Sequence, residues 1–183
     1  AKMAASIAAF TNNRLNLGVG LSVWPEDYAA MGVPYARRGA RFDECIAIVR
    51  GLTAGGYFEF HGEFYNIPPV KLNPVPTRPL PILIGGHSDA ALKRGARHDG
   101  FLFAGAELDA LGASIRKLSD FRAEAGTTDK PYRIFVSVTA PLDASGVQRY
   151  AELGVTDIKL SFRSLYAVEE DQQPLSEKID LMK

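Results

Sequence analysis

From Pro81 onward, short apolar runs alternate with amphipathic helical patterns, and this alternation restricts the fold more than any other feature of the sequence. Strands are predicted at 81–85, 100–104, 132–139 and 156–161, and helices at 89–97, 107–125, 145–153 and 175–183. Strands that alternate with helices are typical of βαβ units, whose strands form a parallel sheet. The second half of the chain is therefore predicted to be α/β.

The first half of the chain is less regular. Helices are predicted over 2–10 and 36–52, with a strand over 15–20. Aromatic residues alternate on both sides of His61-Gly62, which predicts a β-hairpin. Most of the eleven prolines lie in 68–81. This stretch is predicted to be an extended connection, because proline is excluded from helix interiors and central strands.

Five predicted core strands fit two architectures. They could form an open doubly wound sheet, or they could be the later βα units of a (β/α)8 TIM barrel, which typically takes ~250 residues. The chain opens at Ala1 on what reads as the middle of a helix, and this favours a barrel with a missing N-terminal portion. We expect a single domain, 1–183, with a hairpin and proline-rich insertion at about 56–80.

Composition excludes several classes of function. Lys plus Arg and Asp plus Glu both number 21, so the basic surface of a nucleic-acid binder is not expected. No run approaches the roughly 18 apolar residues of a membrane span, so we expect no membrane insertion. The single cysteine, Cys45, precludes an internal disulfide, which fits a cytoplasmic protein. No His, Asp, Glu or Cys residues have metal-ligand spacing, so no metal site is predicted.

The stretch "PILIGGHSDAALKRGARHDGFLF" (81–103) places Gly85 and Gly86 between a buried strand and a helix. The first N–H groups of a helix have no partner inside it, and they favour an anion. Glycine lets a ligand approach the backbone, while His87 and Ser88 could hydrogen-bond the same group. The alternative is a tight glycine turn followed by an ordinary Ser88 cap.

Four stretches in order carry a family resemblance: "AASIAAFTNNRLNLGVGLS", "MGVPYARRGARFDECIAIVRGL", "FHGEFYNIPPVKLNPVP" and the stretch at 81–103. Together they resemble the bacterial luciferase-like monooxygenase superfamily, whose members are flavin- or deazaflavin-dependent (β/α)8 barrels. The resemblance places "RLNLGVGLS" at about the fourth barrel strand. It implies that only the units from about strand 4 to strand 8 are present.

The resemblance also implies a cofactor site. The residues expected to line a phosphate pocket are Gly85, Gly86, His87 and Ser88, and those expected beside the cofactor chain are Gly20, Leu21 and Ser22. Asp27 lies in a loop that borders the active site in the family and is a possible catalytic residue; the other catalytic residues would precede Ala1. Bacterial luciferase has an arginine for the phosphate where this chain has Leu21. Phosphate recognition would therefore depend on backbone N–H groups and His87.

The function implied by the resemblance is hydride transfer or oxygen activation on a small organic substrate. The expected cofactor is coenzyme F420, with FMN as the alternative, and a homodimer is expected. The present fragment alone is expected to be inactive. The alternative function is that of a non-catalytic flavin-binding or structural relative with an incomplete barrel.

Overall fold

The structure, a computed structural model, describes residues 1–105, 107–139, 141–161 and 174–180. It divides into two compact units, Ala1–Ile82 and Leu83–Lys183. Each unit is described in turn. The expected single domain with an insertion stays a prediction.

The first unit contains three helices and three strands within its described residues. They are α1 (Lys2–Phe10), β1 (Leu17–Gly20), α2 (Pro25–Ala30), α3 (Arg38–Thr53), β2 (Tyr57–His61) and β3 (Asn66–Lys71). The helices predicted over 2–10 and 36–52 are confirmed to within two residues. The strand predicted over 15–20 is shorter, since it begins at Leu17.

Asparagines end α1 and tie it to the segment that leads out of the hairpin. Asn12 and Asn13 have positive φ angles of 52° and 59°, as expected for residues that terminate a helix. The Asn13 side chain accepts a hydrogen bond from the Thr77 amide at 3.0 Å. The Leu17 amide then donates to the Pro81 carbonyl at 2.9 Å. The end of the helix predicted over 2–10 is therefore confirmed.

The antiparallel hairpin β2–β3 confirms the strand pairing but corrects the proline prediction. Pro68 and Pro69, expected in an extended connection, lie inside β3, which continues to Lys71. The register shifts between Phe58 and Phe60, so the ladder is irregular where the prolines lie. An irregular ladder in a two-stranded sheet tolerates residues that lack an N–H donor.

A carboxylate from α3 holds the hairpin turn. Glu44 accepts hydrogen bonds from three consecutive amides, Glu63 at 2.6 Å and Phe64 and Tyr65 at 3.0 Å. A Cβ added to Gly62 would lie 2.4 Å from the Glu44 carboxylate, so this position has no room for a side chain. The amides of the turn thus surround a half-buried carboxylate that the protein itself supplies.

The second unit alternates strands and helices. They are β4 (Ile82–Gly85, whose first residue ends the first unit), α4 (Asp89–Gly95), β5 (Gly100–Ala104), α5 (Leu108–Glu124), β6 (Arg133–Thr139), α6 (Ala144–Glu152), β7 (Asp157–Ser161) and α7 (Leu175–Asp180). These bounds agree with the predicted ones to within two residues for all but the last helix. The final three residues of the helix predicted over 175–183 lie outside the described residues.

The strands β4, β5, β6 and β7 pair in parallel and in chain order. Their carboxyl ends therefore lie at the same edge of the sheet. The most buried side chains of this unit are apolar: Leu83, Ile84, Phe101, Leu111, Leu118 and Val136. The parallel sheet with intervening helices confirms the predicted α/β class.

One face of the sheet packs against α4. A Cβ added to Gly95 of α4 would lie 2.4 Å from the Phe101 ring, so helix and strand are in close contact. Phe101 pairs with Ile134 and Phe103 pairs with Val136 on this face. Successive side chains of a strand point to opposite faces, so the intervening residues lie on the other face.

Candidate functional site

The predicted phosphate corner follows the carboxyl end of β4. Gly86 has a φ of +148°, which favours glycine. A Cβ at this position would lie 2.7 Å from the Ala91 Cβ. Both observations require glycine at position 86 for internal packing, whether or not a ligand binds.

The first turn of α4 faces an accessible surface. The Ser88 hydroxyl caps the helix and accepts a hydrogen bond from the Ala91 amide at 3.2 Å. The amides of Asp89 and Ala90 have no acceptor inside the helix, as at every helix start. Residues 87–90 are exposed. The cap is a neutral hydroxyl and the residues of the first turn are exposed, so this helix start is open to an anion.

One charged pair borders this corner. The Asp89 carboxylate lies 3.0 Å from the Lys117 ammonium group. Both side chains are more than half exposed, so the pair contributes at most about 1 kcal/mol to stability. Lys117 nevertheless offsets the negative charge that a bound anion would otherwise meet at the first residue of α4.

In the first unit, the structure brings Ser22 and Asp27 together after β1. The Ser22 hydroxyl donates to the Asp27 carboxylate, and the Trp24 amide donates to the Ser22 hydroxyl oxygen at 3.2 Å. The Tyr28 hydroxyl donates to the Ser22 carbonyl at 3.1 Å. Ser22 therefore positions the exposed Asp27 carboxylate at the start of α2.

The remaining predicted residues of the first unit contribute backbone and apolar surface. Gly20 is the exposed last residue of β1, and Leu21 is half-buried. The predicted residues thus form two groups, Gly20–Ser22 with Asp27 in one unit and Gly85–Ser88 in the other. The residues that follow Ser161, at the carboxyl end of β7, lie outside the described residues.

The sequence prediction missed a polar face on β6 and β7. Ser137 pairs with Lys159, and Thr139 pairs with Ser161. These four residues alternate with Val136, Val138, Ile158 and Leu160, so they lie on the face opposite the one that packs on α4. The alternation of polar and apolar residues in "VSVT" and "IKLS" was the available signal.

Within the described residues, no group of three or more His, Cys, Asp or Glu residues could hold a metal ion. No helix in the described part of the chain is both long enough and apolar enough to cross a membrane.

Comparisons with known proteins identify the family. The family model described as luciferase-like monooxygenase matches residues 1–177. An uncharacterized protein of Mycobacterium tuberculosis is 53% identical over 179 residues, which cover 98% of this chain and 62% of that protein. The pyrimidine monooxygenase RutA of Acinetobacter baylyi is 27% identical over 82% of this chain and 43% of its own length. The chain thus spans less than two thirds of these relatives.

A solved structure agrees with the fold. An F420-dependent secondary alcohol dehydrogenase in complex with an F420-acetone adduct matches 87% of this chain and 67% of its own, with a TM-score of 0.75 and 14% identity. The fold is therefore that of the luciferase-like TIM barrels, of which this chain contains a part. On the match of the family model to nearly its whole length, the chain belongs to the luciferase-like monooxygenase family.

Proposed function

We propose that this chain is part of a deazaflavin- or flavin-dependent oxidoreductase that holds the phosphate of coenzyme F420 at the start of α4. The observation that carries the proposal is the accessible, neutrally capped helix start directly after Gly85-Gly86, at the carboxyl end of β4. Active sites of TIM barrels lie at this end of the strands. FMN is the alternative cofactor.

In this proposal the chain supplies binding and orientation. The Asp89 and Ala90 amides bind the phosphate, while Ser88 donates its hydroxyl proton and keeps the Ala91 amide as its own donor. His87, at the same corner, provides a further hydrogen bond. Helix-start interactions with an anion contribute roughly 0.3–1 kcal/mol each, so several must act together.

The residues after β1 form a second part of the proposal, which rests on the family resemblance. Gly20, Leu21 and Ser22 are proposed to contact the cofactor chain. Asp27, which the Ser22 hydroxyl holds in place, is proposed to accept a proton from the substrate or to donate one to it. The bound cofactor supplies the hydride or the activated oxygen.

The test is a titration of the protein with matched cofactor pairs, measured by calorimetry. FMN is compared with riboflavin, and F420 with its deazariboflavin precursor, which lacks both the phosphate and the carboxylate tail attached to it. We expect the phosphorylated member of at least one pair to bind about tenfold more tightly or better. Equal affinity within both pairs, or no heat from any of the four, would overturn the proposed corner.

The second candidate is a non-catalytic flavin-binding or structural relative, because the proposal assigns proton transfer within this chain to Asp27 alone. Turnover of the reduced, cofactor-loaded protein with small organic substrates separates the two candidates. Binding without turnover, combined with activity of a longer form of the protein, assigns catalysis to residues outside this chain. A homodimer and a cytoplasmic location stay predictions.

A further inference from the structure

The polar face of β6 and β7 carries more cationic charge than its own carboxylate neutralises. Arg133 and Asp157 form a bidentate ion pair on this face, with nitrogen–oxygen distances of 2.6 and 3.2 Å. The Thr156 hydroxyl donates to the same carboxylate at 2.6 Å. Because these donors occupy both Asp157 oxygens, the charge of Lys159 is left in excess.

Three hydroxyl groups surround the position of Lys159 on the same face. Ser137 is its direct partner on β6, and the Thr139–Ser161 pair lies one layer closer to the carboxyl ends. Directly opposed residues on paired strands have Cβ atoms roughly 5 Å apart, so these four side chains leave the sheet as neighbours on one face. An ammonium group and hydroxyl groups can each donate a hydrogen bond to an oxygen of a carboxylate or a phosphate.

Small residues of the neighbouring strand lie beside this cluster. On the neighbouring strand β5, the residue paired with Ser137 is Ala104, and Gly105 follows it. Lys159 and Thr139 are exposed, whereas Val136 on the opposite face is buried. In a TIM barrel the face away from the helices is the interior, and its carboxyl-end layer borders the active site.

We infer that Lys159, with Ser137, Thr139 and Ser161, binds an anionic group of the substrate, a carboxylate or a phosphate. The inference rests on the proposed function, because it places the substrate at the same edge of the sheet as the cofactor. Three strand spacings separate β4 from β7, about 14 Å along the sheet. The cofactor phosphate at the start of α4 and the anion at Lys159 therefore occupy different places.

The competing explanation is that Lys159 protects an exposed strand edge, since inward-pointing charges discourage unwanted strand pairing. A binding experiment separates the two explanations. Protein saturated with F420 or FMN is titrated with sodium succinate and with sodium phosphate, and the cofactor absorbance reports binding. Succinate and phosphate distinguish a carboxylate from a phosphate site.

We expect Lys159→Gln to weaken binding of at least one of these probes about tenfold, while Lys159→Arg keeps most of the affinity. Lys71→Gln, an exposed lysine at the end of β3, is the matched control and leaves probe affinity unchanged. Cofactor affinity stays the same in all three variants.

Unchanged probe affinity in Lys159→Gln, or absence of probe binding to the loaded parent protein, overturns the inference and leaves the proposed function standing. A loss of F420 affinity alone in Lys159→Gln also overturns it, because the bound anion would then be the carboxylate tail of that cofactor. Failure of the parent protein to bind either cofactor instead overturns the proposed function.

Discussion

Two helices of the second unit begin at the same edge of the sheet and satisfy their first amides differently. Asp143 caps α6 with a carboxylate that accepts from the Gly146 amide at 2.7 Å and from the Ser145 hydroxyl at 2.9 Å. Ser88 caps α4 with a neutral hydroxyl. A carboxylate at the cap repels an incoming anion, whereas a hydroxyl leaves the positive end of the helix dipole available.

The hairpin turn is a second comparison, because there a side-chain carboxylate, that of Glu44, accepts hydrogen bonds from the backbone amides. This carboxylate satisfies three consecutive amides of the hairpin turn, so no ligand is needed there. Three clusters of backbone amides can be compared among the contacts described above. The amides at residues 63–65 and those at the start of α6 each have a carboxylate acceptor. The amides at the start of α4 have only the Ser88 hydroxyl. This difference supports the proposal that an anion binds at the start of α4.

The largest change in stability is expected from removing the Glu44 carboxylate. Glu44→Ala should lower the free energy of unfolding by about 3 kcal/mol, because three amides lose a charged acceptor and water replaces it only in part. Chemical denaturation measures the change. Glu44→Gln, which retains one acceptor oxygen, should lose about half as much.

Glu124→Ala, at the end of α5, serves as the control for the loss of a surface carboxylate. If Glu44→Ala is as stable as this control, the three hydrogen bonds contribute nothing, and the contrast between filled and open amide clusters fails.

A Cβ at Gly86 should distort the corner of α4. Gly86→Ala is expected to cost roughly 1–3 kcal/mol of stability, since its φ of +148° disfavours other residues and the new methyl group meets Ala91. Combining it with Ala91→Gly removes the contact and should restore part of the stability. Thermal unfolding measures both variants, and equal melting temperatures would show that the contact with Ala91 is unimportant.

Exchanging the caps tests the comparison directly. Ser88→Asp should keep the stability of α4, because aspartate is as good a cap as serine, while phosphate repulsion weakens FMN or F420 binding about tenfold. The reciprocal Asp143→Ser variant should leave cofactor affinity unchanged. Calorimetry on both variants decides the matter, and unaltered affinity in Ser88→Asp would remove the phosphate from this helix.

The smallest effect concerns pH. Hydrogen bonds from the Gly146 amide and then the Ser145 hydroxyl hold the pKa of Asp143 below its ordinary value. A lowered pKa in the folded state contributes stability above the unfolded pKa of about 4, and this contribution is lost as the pH falls through the lower folded pKa. Unfolding measured from pH 7 to pH 2 should therefore show a steeper loss below about pH 4 in the parent than in Asp143→Asn.

The asparagine of that variant caps the helix without titrating, so the two curves should differ only in the acidic range. Ser88→Ala offers the opposite case, since its loss of stability should not vary with pH. Parallel acid curves for the parent and Asp143→Asn would contradict the assigned hydrogen bonds.

The helices and strands were predictable because their signals are local. Periodic apolar residues located α3, α5 and β5 to within two residues, and Asn12 and Asn13 marked the end of α1. The extension of β3 through Pro68 and Pro69 was not predictable, because it depends on the irregular pairing with β2.

The residues of the candidate site were named from the family resemblance, and Gly85–Ser88 stay a prediction as a phosphate site. The hydrogen bond between Ser22 and Asp27 was not predictable, because it depends on the path of a loop that no periodicity describes. Lys159 was missed for a different reason. The alternation of "IKLS" shows two faces, but which face meets the helices emerges only from the register of β5, β6 and β7.

The paired prolines of β3 have a consequence beyond the hairpin. Backbone amides along a strand point alternately to its two sides, so two adjacent prolines remove one donor from the side facing β2 and one from the outer side. The outer edge of β3 is therefore poorly suited to pair with a strand of another molecule. This lowers the tendency of the β2–β3 hairpin to aggregate through intermolecular β-pairing.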